Sequence, residues 1–155
     1  MAKNDGNKKT AVLIAMDGSS ESEKALDFYM KNVRQETDEV VVAYCVHHRA
    51  QQTYSSVWMP VEPQVIVHAY QEESKKGDEV CKKLKEKLES YKIGGKVIKL
   101  EGGDPGHTIV TKSKELGVKL IVVGSRGLGT IRRTILGSIS EFILHYADVP
   151  VFICH

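Results

Sequence analysis

The sequence predicts an α/β three-layer sandwich with a five-stranded parallel sheet, and three observations carry that expectation. Short apolar runs rich in β-branched residues recur near residues 11–16, 39–47, 118–123 and 149–153. Each is too short for a helix, and such runs read as strands buried on both faces. The intervening segments place apolar residues at helical spacing, and a fifth, half-exposed strand (KVIKLE, 96–101) reads as a sheet edge. Strand and helix signals therefore alternate along the chain, as βαβ units require. Right-handed crossovers and a switch point beside the first strand imply the order 3-2-1-4-5.

The chain has 155 residues, 41% hydrophobic and 27% charged, which suits one well-cored domain over residues 10–155 behind a frayed, lysine-bearing tail at 1–9. A net charge of +2 gives no case for nucleic-acid binding. Cys45, Cys81 and Cys154 are an odd number without a C-x-x-C pair, which fits a reducing compartment. No membrane-length apolar stretch and no signal-peptide core occur, so a soluble, cytoplasmic protein without membrane partners is expected.

In chain order, Ala11 to Met16 form the first strand and end at Asp17-Gly18-Ser19-Ser20. Ser20 and Glu23 have capping-box spacing, and Ser22, Ala25, Leu26, Tyr29 and Val33 share the following helical face. Asp17 has two readings: a turn residue that helps start the helix, or a ligand contact at the carboxyl end of a strand, where open α/β sheets bind. Residues 39–47 (EVVVAYCVH) form the second strand. His47 and His48 are adjacent, point to opposite faces and cannot readily chelate one ion together. Residues 49–63 form a long connection in which Trp58 either anchors the loop or closes over a ligand. Residues 64–92 read as a long charged helix with Val80, Leu84, Leu88 and Tyr91 along one side. Gly102-Gly103-Asp104-Pro105 is a helix start with an N-cap Asp and Pro at the first position, and Gly117 suits a left-handed cap. Ile109, Val110, Ser113 and Leu116 should face the sheet, and His107 should lie on the surface. Val118 to Val123 form the fourth strand; Ile139, Phe142, Ile143 and Tyr146 mark a last amphipathic helix; and Val149, Pro150, Val151, Phe152 and Ile153 form the last strand.

The most informative stretch follows the fourth strand. Gly124, Gly127, Gly129 and Gly137 lie between that strand and a helix starting at Ser138. Glycines allow close backbone approach, and a helix start offers free N–H groups and a positive dipole end, to which Ser138 and Ser140 would add hydroxyl donors. The combination suggests a phosphate site, against the plainer reading of a connecting loop that binds nothing. It is neither a Walker A loop nor the G-x-G-x-x-G dinucleotide fingerprint.

Gly124-x-x-Gly127, nine residues, then Gly137-Ser138 resembles the nucleotide loop of the universal stress protein family. The run from Asp17 to Ala25 is similar to that family's D-x-S-x-x-S-x-x-A signature, and Gly103-Asp104-Pro105 to its G-x-P turn. The resemblance covers residues 8–155 and implies a Rossmann-like fold of the adenine nucleotide alpha hydrolase kind. It implies a stress-response or signalling module that binds ATP, or AMP or ADP, with Mg²⁺ carried on the phosphates. The adenine would lie against Val46 and the first-strand end (Ala15, Met16), and the ribose near Asp17 and Gly124. Phosphates would rest on the loop (Ser125, Arg126, Gly127, Gly129) and on Gly137, Ser138, Ile139 and Ser140. Arg126 either screens phosphate charge or is an ordinary exposed arginine. Cys45 stands where the family often has histidine, and Lys119 where it commonly has an acidic residue. A homodimer through the last strand is implied as well. Slow ATP hydrolysis is the most catalysis expected, since no general base can be named and no H-x-G-H or S-G-G-x-D-S signature occurs. A dimeric interaction scaffold with a structural nucleotide is the other alternative.

Overall fold

In the computed structural model, residues 10–46, 48, 60–125 and 136–155 are described. The apolar runs become strands β1 (Thr10–Met16), β2 (Asp38–Cys45), β3 (Gly95–Leu100), β4 (Leu120–Gly124) and β5 (Val151–Cys154). All neighbours pair in parallel, in the order β3-β2-β1-β4-β5. The helices are α1 (Ser20–Phe28), α2 (Pro63–Ser90), α3 (Pro105–Leu116) and α4 (Ser138–Tyr146).

Period-two alternation divides the strand residues between two apolar layers. Val12, Ile14 and Met16 join Val40, Val42 and Val122 on one face, where Ala25 and Leu26 of α1 and Leu84 and Leu88 of α2 cover them. Leu13, Ala15, Ala43, Cys45, Ile121 and Val123 face the other way, under Ile109 and Val110 of α3 and Ile143 of α4. Each fully buried aliphatic side chain contributes about 1.5–3 kcal/mol, which makes these two layers the main source of stability. β1 and β4 lie inside the sheet, so their carboxyl ends meet at its centre, where the connections depart in opposite directions.

The helix signals hold at α3: Asp104 Oδ1 accepts from the His107 N–H at 3.0 Å, and Gly117 ends the helix at φ 58°. They shift at α1. The cap is Ser19, whose hydroxyl accepts from the Ser22 N–H at 3.2 Å, so the capping-box reading of Ser20 is corrected by one residue. The last turn also widens into a π-helical turn, Tyr29–Val33, closed by the Arg34 N–H donating to the Tyr29 carbonyl at 2.9 Å. Leu116, expected against the sheet, and Tyr146, on the apolar side of the last amphipathic helix, are 39% and 60% exposed. Both are the final residues of their helices, and Tyr146 packs on Phe142 with ring centroids 4.4 Å apart. β5 begins at Val151 because Pro150 has no N–H; its carbonyl still accepts from the Ile121 N–H at 3.1 Å.

Lys119 acquires a specific role at the amino end of the sheet. Its ammonium pairs with Asp38, whose other oxygen accepts from the Tyr29 hydroxyl at 2.6 Å and the Gln35 N–H at 2.9 Å. Burial works to raise the Asp38 carboxyl, but Lys119, Tyr29 and the Gln35 amide together hold it below the usual carboxylate value. Burial and Asp38 push the Tyr29 phenol well above its ordinary value.

Candidate functional site

At the opposite, carboxyl end, β1 delivers Asp17 into a turn whose next residue, Gly18, has φ 80°. That conformation favours glycine, and it swings the chain from strand into α1. Asp17 Oδ1 accepts from the Ser19 N–H at 3.0 Å and from the Ser19 hydroxyl. Ser19 is thus oriented by Asp17 and caps α1 in turn. The turn reading of Asp17 therefore has a physical basis, and one carboxylate oxygen remains outside that turn.

Tyr44 packs beside this corner: a Cβ on Gly18 would lie 3.6 Å from its ring. Burial raises the Tyr44 phenol, with the nearby thiols of Cys81 and Cys45 and the Asp17 carboxylate adding to it. Burial likewise pushes the Cys45 thiol up to about 12, which keeps it a neutral apolar filler beneath the site. Ala15, Met16 and Val46 are buried. The Val46 N–H donates to the Leu100 carbonyl at 3.0 Å, so this donor extends the β2–β3 ladder.

β4 ends at Gly124, where the strand crosses the first turn of α1 at close range. A Cβ there would lie 3.0 Å from the Glu21 carbonyl carbon and 3.2 Å from the Ser22 nitrogen. Gly124 is therefore required by helix–strand packing. Ser125 continues the line and is tied on three sides. Its N–H donates to the Cys154 carbonyl at 2.7 Å, its carbonyl accepts from the Gly137 N–H at 2.8 Å, and its Oγ lies 3.0 Å from His155 Nδ1. The Ser140 hydroxyl closes the arrangement by donating to the Gly124 carbonyl at 2.7 Å.

These bonds seat the start of α4 directly over the end of β4. α1 and α3 begin with side-chain caps, whereas α2 and α4 begin without one; at α4 this leaves the first N–H groups without a side-chain acceptor at the end of β4. Gly137 has φ −66° and ψ 148°, a conformation open to any residue, so close approach and not φ is what a glycine can serve there. Ser138 is exposed, Ile139 half-buried and Ser140 buried.

The structure thus gathers Ala15, Met16, Asp17, Gly124, Ser125 and the Gly137–Ser140 start of α4 at the ends of the two central strands. Val46 sits one strand away. Arg126, Gly127 and Gly129, like His47, Trp58 and the tail, lie outside the described residues. His48 is attached to α2, with Nδ1 3.3 Å from Glu73 Oε2 and its ring stacked on Tyr70 at 3.9 Å. Among the described residues no three His, Cys, Asp or Glu side chains are grouped to hold a metal, and no helix is long and apolar enough to cross a membrane. His155 is a neighbour of the site that the sequence does not announce: it is 30 positions from Ser125 and carries no motif.

Residues 10–155 match the sequence profile of the Universal stress protein family. A relative from Bacillus subtilis (strain 168), universal stress protein YxiE, is 32% identical over 143 residues, covering 92% of this chain and 96% of its own length. Among solved structures, universal stress protein UspA from Lactobacillus plantarum superposes with a TM-score of 0.76 at 16% identity, over 96% of this chain and 99% of that one. A universal stress protein family protein from Arabidopsis thaliana, solved with AMP bound, gives a TM-score of 0.65 at 19% identity, over 94% and 90% of the two chains.

Proposed function

The chain belongs to the universal stress protein family, and from that premise we propose that it binds an adenine nucleotide, ATP foremost, as a stress-response or signalling module. The observation that carries the reading is the seating of an uncapped helix start over the end of β4, held by the Gly137 N–H on the Ser125 carbonyl. This presents a positive dipole end and free N–H groups at the switch point of a parallel sheet, where an anionic ligand is best placed. Asp17, across the β1–β4 crevice, supplies an acceptor suited to ribose hydroxyls. Ala15 and Met16 offer the strand-end backbone on which the base would lie, with Val46 at its far edge. The N–H groups of Ser138, Ile139 and Ser140 and the Ser138 hydroxyl meet the phosphates, with Gly137 leaving room beside them, together with Ser125 and, outside the described residues, Arg126, Gly127 and Gly129; the Ser140 hydroxyl, expected as a further donor, is instead given to the Gly124 carbonyl. Mg²⁺ would arrive on the phosphates, since the described side chains form no cage for it. The AMP-bound Arabidopsis relative is consistent with this reading.

Two measurements test it. Purified protein denatured and analysed by mass spectrometry should release an adenine nucleotide, and titration of stripped protein should give saturable binding of ATP or AMP. Protein that carries no nucleotide and takes up none would overturn the reading.

A second reading, a dimeric interaction module, is favoured by one observation. β5 is a sheet edge whose four residues are all half-buried, and Phe152 stacks on Phe28, itself 45% exposed, with centroids 6.0 Å apart. Pairing of two such edges across a two-fold axis would cover both. Phe152→Asp should then convert a dimer to a monomer in light scattering. A wild type that is already monomeric at micromolar concentration removes this reading and leaves the nucleotide proposal standing.

A further inference from the structure

Both backbone groups of Ser125 are committed, the N–H to the Cys154 carbonyl and the carbonyl to the Gly137 N–H. Only its hydroxyl is left to address a ligand, and the partner of that hydroxyl is the imidazole of His155, with Nδ1 at 3.0 Å from Oγ. The direction of this bond decides what Ser125 can offer. A serine has one O–H donor and two lone pairs. If Nδ1 carries the proton, His155 donates to Oγ, and the serine proton is free to point elsewhere. If Nδ1 is bare, the serine donates to it and presents a lone pair outward. A phosphate accepts hydrogen bonds, so only the first arrangement serves it.

We infer that His155 positions the Ser125 hydroxyl as a donor to a phosphate of the bound nucleotide. The inference rests on the nucleotide reading above and adds a residue that neither the strand-end glycines nor the helix start would reveal. His155 is exposed whereas Ser125 is buried. The imidazole acts on the ligand through Ser125. The role needs one donor, the Nδ1–H, in one direction.

Calorimetric titration of adenosine, AMP and ATP into the wild type, His155→Ala, His155→Asn, Ser125→Ala and the His155→Ala/Ser125→Ala double variant tests this, with circular dichroism as the control for folding. Asparagine places its amide nitrogen near the position of Nδ1 and can donate the same bond. His155→Ala should weaken AMP and ATP by up to about tenfold, the size of the Ser125–phosphate hydrogen bond that it leaves unpositioned, while leaving adenosine within about twofold. His155→Asn should restore most of that affinity, and the double variant should lose no more than Ser125→Ala alone. An equal loss for adenosine, failure of asparagine to restore binding, or additive losses in the double variant would each overturn the positioning role. His155→Ala binding ATP as tightly as the wild type overturns this inference alone. A wild type that binds neither AMP nor ATP overturns the nucleotide reading, and this inference with it.

Discussion

At the amino end of the sheet, Asp38, Tyr29, Lys119 and the Gln35 amide satisfy one another around a carboxylate whose side chain is 3% exposed. At the carboxyl end, Asp17 gives one oxygen to Ser19, and α4 begins without a side-chain cap. The same sheet therefore carries two polar clusters with opposite economies. One is closed on itself and ties the start of β2 to the turn after α1 and to the residue before β4. The other keeps donors and an acceptor directed outward, at a cost in local satisfaction that a ligand would offset. Paired groups without outward capacity serve structure alone, whereas groups held in place but incompletely paired have capacity for a ligand.

The comparison breaks most visibly at Gly137. Its backbone conformation admits valine, so Gly137→Val should still fold, with a loss of about 1 kcal/mol for the poorer N-cap residue. If a phosphate rests on this helix start, the added methyl groups occupy its place, and ATP affinity should fall by about a hundredfold or more. Circular dichroism and nucleotide titration on the same sample measure both quantities. A folded variant with unchanged affinity would show that the open end is not where the phosphates sit. Gly124→Ala gives the opposite signature, because its Cβ would press on the backbone of Glu21 and Ser22. It should lose about 1–3 kcal/mol in denaturant unfolding, whether or not nucleotide is present.

The closed cluster is tested by Lys119→Met, which leaves Asp38 buried without its cation. Removing one partner of a buried pair is costly, but Lys119 is 37% exposed, so water screens part of the charge and about 1–2 kcal/mol is the expected loss at neutral pH. The pH dependence has a definite sign. Asp38 titrates below its unfolded value of about 3.9, so its stabilisation is whole above that value and is lost as pH falls through the folded one. The gap between variant and wild type in urea unfolding should therefore narrow below about pH 4. A gap that is constant with pH would assign the loss to packing of the lysine stem instead.

What the sequence made legible follows from the range of the interactions involved. Strand order, the Asp104–Pro105 start and the Gly117 stop are written in runs and neighbouring residues, and they appear as expected. The Asp38–Lys119 pair joins residues 81 apart, and the His155–Ser125 contact joins residues 30 apart; no local pattern encodes either. The shift of the α1 cap from Ser20 to Ser19 was decided by Asp17, which draws Ser19 towards itself. Leu116 and Tyr146 fit the helical period yet are exposed, because periodicity gives the face of a residue and not where the sheet beneath it ends. Of the candidate site, Ala15, Met16, Asp17, Val46, Gly124, Ser125 and Gly137 to Ser140 can be named from the sequence, and His155 cannot. That Gly124 answers to the backbone of α1, and that Gly137 requires no special φ, could be learned only from the packing.

The finest test concerns Asp17, where turn and site overlap in one side chain. Asp17→Ala removes both roles and separates nothing. Asp17→Asn keeps an acceptor for the Ser19 N–H and hydroxyl, so the cap of α1 and the melting temperature should hold. It replaces the outward carboxylate oxygen with an amide donor, which pairs less well with ribose hydroxyls that need an acceptor. The expected loss is on the order of 1 kcal/mol, about fivefold in affinity. Because the contact is to the sugar, adenosine should suffer as much as ATP, whereas the His155 variants should spare adenosine. If Asp17→Asn instead melts earlier and binds both ligands as the wild type does, the carboxylate serves only the turn, and the open end of the sheet contracts to the Ser125–Gly137 side of the crevice.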